Sequence, residues 1–359
     1  MKIKEIKVEN FKNLENIHIN LHHKLNIIVG NNGQGKTNFL ESLHLLATTK
    51  SIKNKDDSLL IMHNKNYAKL NCILEINKIY SLKMILSSEG KSLFINNMII
   101  NKSSNFLGKL NTILFLPKEV ELFDSAPKLR RKLIDLELGK ISKTYLFNLN
   151  EYQKLLLNRN KLLKNKTNDQ DLFNVIEDKM IINQEKIINY RNKFINSLSN
   201  YVNKYYKLLT NSNSEIKINY LCCVENFDEI TNTLKYKYQK YYEYDKNFKA
   251  TSIGIHREDI IFKLNDRLVN ETASQGQKRL IVLALKLGLV EYIHKLTGNS
   301  PILLLDDVMS ELDLNHQNRL LNIIPKDIQT IVTTTYINNL IKLDDYKLIK
   351  INNGKIEGK

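Results

Sequence analysis

The sequence predicts an α/β chain in which a head of mixed sheets is split by a mainly helical inserted lobe. Three observations predict it: a strand, Gly-rich loop and helix near the N-terminus, an acidic strand end about 270 residues further on, and Pro-free helical texture between them. The pattern divides the chain into 1–128 for the first half of the head, 129–245 for the helical lobe and 246–359 for the second half.

The elements follow in order. Alternation of β-branched and charged residues predicts strands at 2–10, 14–20 and 24–30, and the apolar period from Lys36 to Thr48 predicts a helix behind the loop. Further alternation predicts strands at 68–75, 79–87, 93–100 and 112–116, enough for a mixed sheet flanking the first unit. From Leu129 to Leu209 there is no Pro and a single Gly, Gly139, while Leu155, Leu156, Leu162 and Leu163, then Ile181, Ile182, Ile187 and Ile188, recur at helical spacing. The polar break Lys164–Gln170 predicts two antiparallel helices here. At 1.5 Å per residue they reach only about 40–50 Å, too short for a hinge-bearing arm. A Tyr- and Lys-rich stretch, 235–249, closes the lobe, and strand and helix patterns resume at Thr251.

With 359 residues, 42% of them hydrophobic, the chain can bury a sizeable core. No apolar run approaches the roughly 18 residues of a membrane span, and the alternating start Met1–Val8 is unlike a signal peptide, so a cytoplasmic protein with no membrane partner is expected. Cys72, Cys222 and Cys223 are too few and too badly spaced for a disulfide framework or a zinc site, and are expected to be small packing residues. A formal charge of +16 fits a polyanionic partner, because lysines near phosphate displace condensed counterions. It fits equally a lysine bias from AT-rich coding, since arginine is scarce.

Gly30-Asn31-Asn32-Gly33-Gln34-Gly35-Lys36-Thr37 matches G-x-x-x-x-G-K-[ST]. Glycines let successive N–H groups point at phosphates, the helix N-terminus adds its dipole, Lys36 reaches the β/γ oxygens and the Thr37 hydroxyl ligates Mg2+. The second motif, Pro301–Asp307, is a buried-strand run ending in two acids. Asp306 would hold the magnesium shell and Asp307 would stand as general base for the attacking water. An acidic strand end by itself is common turn chemistry; the Gly-rich loop is what gives it weight.

Compact P-loop enzymes keep these two elements within one small domain, so their separation here marks a split head. Ala273-Ser274-Gln275-Gly276-Gln277 precedes a long apolar helix, where N–H groups and Ser274 would face an anion. This resembles the signature of the ABC-type heads of the structural-maintenance-of-chromosomes (SMC) group. The resemblance implies that the signature of one subunit completes the ATP site of another, an ATP-dependent homodimer.

Four further blocks resemble the RecF family. They are Pro117–Pro127 with Arg130-Arg131 and Ile134-Asp135; Leu304–Asp313 with His316 and Leu320; Arg159-Asn160 with Leu162–Lys164; and Gly254 with His256-Arg257 and Asp259. Lys118, Ser125 and Leu133 stand where the first block usually has an acid, a glycine and an aromatic, and Ile255 and Glu258 replace a usual Pro and Asp. What the resemblance implies is an ATP- and Mg2+-dependent protein of recombinational repair that binds single-stranded, gapped and double-stranded DNA. It further implies cooperation with RecR and RecO, and help in loading RecA. Three departures from ABC heads imply slow hydrolysis. No glutamine lies between Gln34 and Gln153 to form a Q-loop, the strand Gln329–Thr335 ends in threonines where a switch histidine is usual, and Asp307 is shorter than the common glutamate. The rival readings are a transporter's nucleotide-binding subunit, which needs that glutamine, and an SMC-like tether, which needs long arms.

Overall fold

In a computed structural model of the protein, which describes residues 1–51, 56–167, 169–336 and 345–357, the chain gathers into two compact units. The first comprises Met1–Val120, Tyr201–Ser214 and Ser274–Lys359, the second Glu121–Asn200 and Glu215–Ala273. The elements begin with β1 (Lys2–Phe11), β2 (Leu14–Asn20), β3 (Leu25–Val29), α1 (Lys36–Thr48), β4 (Tyr67–Glu75), β5 (Ile79–Ser87), β6 (Gly90–Ile95), β7 (Met98–Ile99), α2 (Ser103–Phe106) and β8 (Thr112–Phe115). Then come α3 (Pro127–Ile141), α4 (Lys143–Lys164), α5 (Gln170–Thr210), β9 (Ile216–Leu221), α6 (Ile230–Phe248), β10 (Asp259–Leu264), β11 (Arg267–Leu268) and α7 (Val269–Thr272). Last are α8 (Gln275–Thr297), β12 (Ile302–Leu305), α9 (Leu314–Ile323), β13 (Thr330–Thr334), β14 (Tyr346–Asn352) and β15 (Lys355–Ile356). Among the described residues no helix is long and apolar enough to cross a membrane.

The first unit holds two six-stranded sheets among its described residues. One is antiparallel, ordered β2-β1-β4-β5-β6-β7. In the other, ordered β15-β14-β3-β13-β12-β8, every neighbouring pair is parallel except β15 with β14. The sequence shows why. Strands β8 (TILF) and β12 (ILLL) are buried at every residue, as parallel strands covered on both faces must be, whereas β4 alternates buried and half-buried positions. Helix α1 supplies Phe39, Leu40, Leu43 and Leu46 to one core shared with Ile6, Val8 and Leu70 of the antiparallel sheet and Ile28, Leu304 and Ile331 of the parallel one. Truncating a residue such as Leu304 to Ala there costs about 2–5 kcal/mol. Helix α8 packs against β8, and Gly288 lets it approach α5, since a Cβ at that position would lie 3.1 Å from the Val202 backbone nitrogen.

The second unit sets the antiparallel sheet β11-β10-β9 among helices. Its interior is unusually charged. Arg159, fully buried, donates to Glu177 (2.8 Å), Asp245 (2.7 Å) and Thr251 (2.9 Å). Arg191 donates to Asp135 (2.7 Å) and Glu258 (2.9 Å), and Arg130 grips Asp259 with two bonds of 2.8 and 2.9 Å.

Two expectations change. The strand expected at 93–100 is a hairpin, because Asn96 and Asn97 both take left-handed conformations (φ 50° and 64°), the geometry of a tight primed turn. The helical stretch is three helices, not two, and the longest, α5, has 41 residues, about 61 Å at 1.5 Å per residue, longer than the 40–50 Å expected. Ser142 ends α3 and N-caps α4, its side chain accepting from the Tyr145 N–H at 3.1 Å, so a polar cap breaks the helix without Gly or Pro. The expected break at 164–170 separates α4 from α5; Asn168 within it lies outside the described residues.

Candidate functional site

Strand β3 delivers the chain into the loop Gly30–Gly35, and α1 begins at Lys36. Gly35 must be glycine: its φ is 110°, and a Cβ would lie 2.7 Å from Leu14 Cδ2. It N-caps α1 with no side-chain bond, which leaves the first-turn N–H groups for an anion. Asn31, Asn32 and Gly33 are exposed. The loop is braced from outside. Asn13 Nδ2 donates to the Gly33 carbonyl (3.1 Å) while Asn13 Oδ1 accepts from Asn38 (2.8 Å), and the Gln34 carbonyl accepts from Gly354 N (3.1 Å).

Lys36 is only 6% exposed, and its ammonium donates to the carbonyls of Gly30 (2.6 Å) and Asn31 (3.0 Å). Burial lowers its pKa, against the opposing pull of Asp307 and Asp306. One residue on, Thr37 Oγ1 donates to both oxygens of the Asp306 carboxylate, at 3.0 and 2.8 Å. Parallel pairing brings Asp306 here: Leu305 sits opposite Phe115 and Val332, and Asp306 N donates to the Phe115 carbonyl at 3.1 Å. Burial raises the Asp306 carboxyl above its ordinary pKa, and hydroxyl donation by Thr333 and Thr37 opposes the rise.

Asp307 takes a left-handed conformation, φ 47° and ψ 27°. Its N–H donates to Thr333 Oγ1 (3.0 Å) and its Oδ1 accepts from the Ser310 hydroxyl (2.6 Å). Thr333 Oγ1 in turn donates to Asp306 Oδ1 at 2.8 Å, so one hydroxyl orients both acids. Sequence reasoning missed Thr333. The available signal was a threonine run at the end of an apolar strand, which had been read only as a missing histidine.

The structure brings Lys36, Thr37, Asp306 and Asp307 into one cluster; Ser274, Gln275, Gly276 and Gln277 form an exposed helix start apart from these hydrogen bonds. Ser274 Oγ accepts from Gln277 N (3.2 Å) and Gln277 Oε1 accepts from Ser274 N (2.9 Å), a capping box that accounts for both residues as starters of α8. One turn along, Arg279 pairs with Glu311, the neighbour of Ser310. Asp313 N-caps α9, accepting from His316 N at 3.0 Å, and buried Gln317 fastens the carbonyls of Met309 (2.6 Å) and Leu312 (2.9 Å).

The donor set fits a magnesium–triphosphate group. A hydroxyl and a carboxylate already in contact are hard oxygen ligands, beside a lysine and a loop of exposed backbone. Arg130, Asp135, Arg159, His256 and Asp259 serve elsewhere. They lie in the second unit, where all but His256 form the ion pairs described above and the His256 ring meets the Tyr152 hydroxyl at 2.7 Å.

Residues 2–357 match the family described as RecF/RecN/SMC N terminal domain. The chain is 38% identical over 365 residues to the DNA replication and repair protein RecF of Streptococcus uberis, covering 99% of this chain and 100% of that one. Against RecF of Streptococcus gordonii it is 36% identical over 362 residues, with 99% and 100% covered. A solved structure of the recombination mediator protein RecF with ATP, in the RecFOR pathway, superposes with a TM-score of 0.90 at 31% identity, covering 99% of this chain and 97% of that one. An Smc head bound to the C-winged helix domain of ScpA shares the fold, with a TM-score of 0.59 at 16% identity. The chain, an α/β protein with the SMC-type head fold, belongs to the RecF family.

Proposed function

We propose that the chain binds ATP with Mg2+ at the Gly30–Thr37 loop and uses nucleotide-driven homodimerisation as a switch in recombinational repair and replication restart. The observation that carries the reading is the Thr37–Asp306 contact, which joins the phosphate loop to the acidic strand end across 269 residues of sequence, as a split head requires. Backbone N–H groups of Gly30, Asn31, Asn32, Gly33, Gln34 and Gly35 hold phosphate oxygens, and Lys36 turns from the Gly30 and Asn31 carbonyls towards the β/γ oxygens. Thr37 and Asp306 hold Mg2+. Bound Mg2+–ATP supplies the charge that two heads share and the bond that is hydrolysed. Ser274, Gln275, Gly276 and Gln277 of one subunit complete the site of the other.

Asp307 accepts the proton of the attacking water. Its Oδ1 is already engaged by Ser310, and its side chain is one carbon shorter than a glutamate, so turnover is slow and the ATPase works as a timer. The DNA partners are single-stranded, gapped and linear double-stranded, contacted through lysine and phosphate; RecR and RecO are the protein partners and RecA the indirect beneficiary. The protein works in the cytoplasm. Sedimentation with ATP and Mg2+, with and without gapped DNA, tests this reading. Wild type should dimerise with nucleotide, and Lys36→Ala should stay monomeric and lose turnover. Unchanged ATP affinity and turnover in a folded Lys36→Ala variant would sink the loop assignment, and dimerisation indifferent to nucleotide would sink the switch.

A further inference from the structure

Cys222 and Cys223 follow the last residue of β9, and Glu258 precedes the first of β10. The β9–β10 register sets Leu221 opposite Asp259, so the next pair outward, Cys222 and Glu258, also face one another. Cys222 Sγ lies 3.1 Å and Cys223 Sγ 3.6 Å from Glu258 Oε1, and the three ligand atoms are all within 4.8 Å of each other. The other carboxylate oxygen, Oε2, is occupied: it accepts from Arg191 at 2.9 Å and from the Tyr220 hydroxyl. Glu258 itself is 4% exposed, so Oε1 is aimed at the thiols from inside, while both cysteines are half-buried and leave a way in from solvent.

We propose that Cys222, Cys223 and Glu258 bind one thiophilic divalent cation, Zn2+ in the first instance, with the fourth position open to water. Tetrahedral Zn2+ takes thiolate sulfur at about 2.3 Å and carboxylate oxygen at about 2.0–2.2 Å, which sets sulfur–oxygen edges of about 3.6 Å, so thiols 3.1 and 3.6 Å from Glu258 Oε1 need only a small adjustment to share one ion. The step balances: two S–H bonds break, two Zn–S bonds form, and two protons leave to solvent. Arg191 balances Glu258, so a divalent cation with two thiolates adds no net charge to a half-buried site. Sulfur ligands exclude Mg2+ and Ca2+, which keeps this site distinct from that of Thr37 and Asp306. The spacing argument against zinc weighed the cysteines alone. The third ligand comes from 35 residues beyond Cys223, through strand pairing that no local motif records.

The test uses the full chain, fully reduced and freed of metal. Co2+ is titrated for its thiolate charge-transfer absorption, and Zn2+ is titrated against a chromogenic chelator in weak buffer that reads proton release. The expected result is one ion per chain, a thiolate band and about two protons released per ion. Cys222→Ser and Cys223→Ser should each weaken binding at least tenfold, and the double variant should abolish the band. His22→Ala/His23→Ala breaks up the other group of possible ligands among the described residues, His22, His23 and Asp345, and should change nothing. No thiolate band, or Zn2+ affinity unchanged in both serine variants, overturns the proposal. ATP-driven dimerisation of the serine variants should remain intact, so this proposal and the nucleotide reading fail separately.

Discussion

Thr333→Val separates the orienting hydroxyl from everything else in its strand. Valine keeps the shape of a residue that is fully buried in β13, opposite Ile28, and removes only the Oγ1. Two bonds go with it. Asp306 loses a 2.8 Å donor, a charge-assisted bond of about 1.5–3 kcal/mol, and the Asp307 N–H loses its 3.0 Å acceptor, leaving an unpaired donor at about 1–3 kcal/mol. Because both bonds share one oxygen they do not add in full, and a loss of about 2–4 kcal/mol is expected. The hydroxyl also holds the Asp306 carboxyl down against the rise caused by burial, so its removal moves that pKa further up. A ligand for Mg2+ must be ionised, and the variant should therefore need more Mg2+ for ATP binding, with a deficit that grows as pH falls. Urea unfolding measures the first effect, and Mg2+ titrations of ATP binding at two pH values measure the second. Thr333→Ser, which keeps the oxygen, should retain most of the Mg2+ affinity. If Thr333→Val unfolds at the wild-type midpoint and its Mg2+ requirement is unchanged at both pH values, the hydroxyl does not position the acids.

Other outcomes follow from the same geometry. Asp306 has a folded-state pKa above its unfolded one, so it opposes folding in full at pH above the folded value, and the opposition fades as pH falls from the folded value to the unfolded one. Asp306→Asn keeps an acceptor for Thr37 and Thr333, and should raise the ligand-free melting temperature at neutral pH by a few degrees, a gain that shrinks towards about pH 4. The same variant should lose Mg2+-dependent ATP binding; equal melting temperatures at neutral pH would refute the desolvation argument. The half-exposed Arg279–Glu311 pair contributes only about 0.2–1 kcal/mol to the monomer, so Arg279→Glu should leave ATP binding intact. It should nevertheless weaken ATP-driven dimerisation at least fivefold by shifting the α8 start against the loop of Ser310, and the swap Arg279→Glu with Glu311→Arg should restore it. Failure of the swap to restore dimerisation would remove the pair from the coupling. DNA affinity should fall log-linearly with salt and show little sequence preference. A flat response would show that the +16 charge reflects lysine-rich coding.

What could be read from the sequence was whatever the chain writes contiguously. The loop Gly30–Thr37 and the strand end at Asp306 and Asp307 each carry their chemistry in a few adjacent residues, and β12 announces its burial by an unbroken apolar run. Thr333 was invisible because its role depends on β13 lying beside β12 in a particular register, 26 and 27 residues from the acids it orients. The Asn96-Asn97 turn interrupts a stretch whose alternation continues on both sides, so period alone joined two strands into one. Ser142 was missed for the opposite reason. A serine cap is a local signal, but the apolar period runs on past it in both directions, and only the Tyr145 N–H on its side chain distinguishes a helix start from a helix interior.

The blocks that resemble RecF outside the phosphate loop have a physical reason for being recognisable. Arg159 and Arg191 are buried charges whose acids come from distant segments: Glu177 and Asp245 for one, Asp135 and Glu258 for the other. Removing one partner leaves an uncompensated charge at about 3–5 kcal/mol, so arginine and acids are tied together as a set whatever the surrounding sequence does. That logic also explains where this chain departs from the usual pattern. Ile255 offers Arg191 only its backbone carbonyl, at 3.0 Å, so the network places no demand on the identity of its side chain. Glu258 is different, because its carboxylate is used on every side, by Arg191 and Tyr220 on one oxygen and by Cys222 and Cys223 on the other. An aspartate there would be one carbon shorter and could not keep Arg191 at 2.9 Å while reaching the thiols at 3.1 and 3.6 Å without moving the backbone. Glu258 and the paired cysteines therefore form one contact set, and Glu258→Asp should disturb the thiol contacts before it disturbs the arginine.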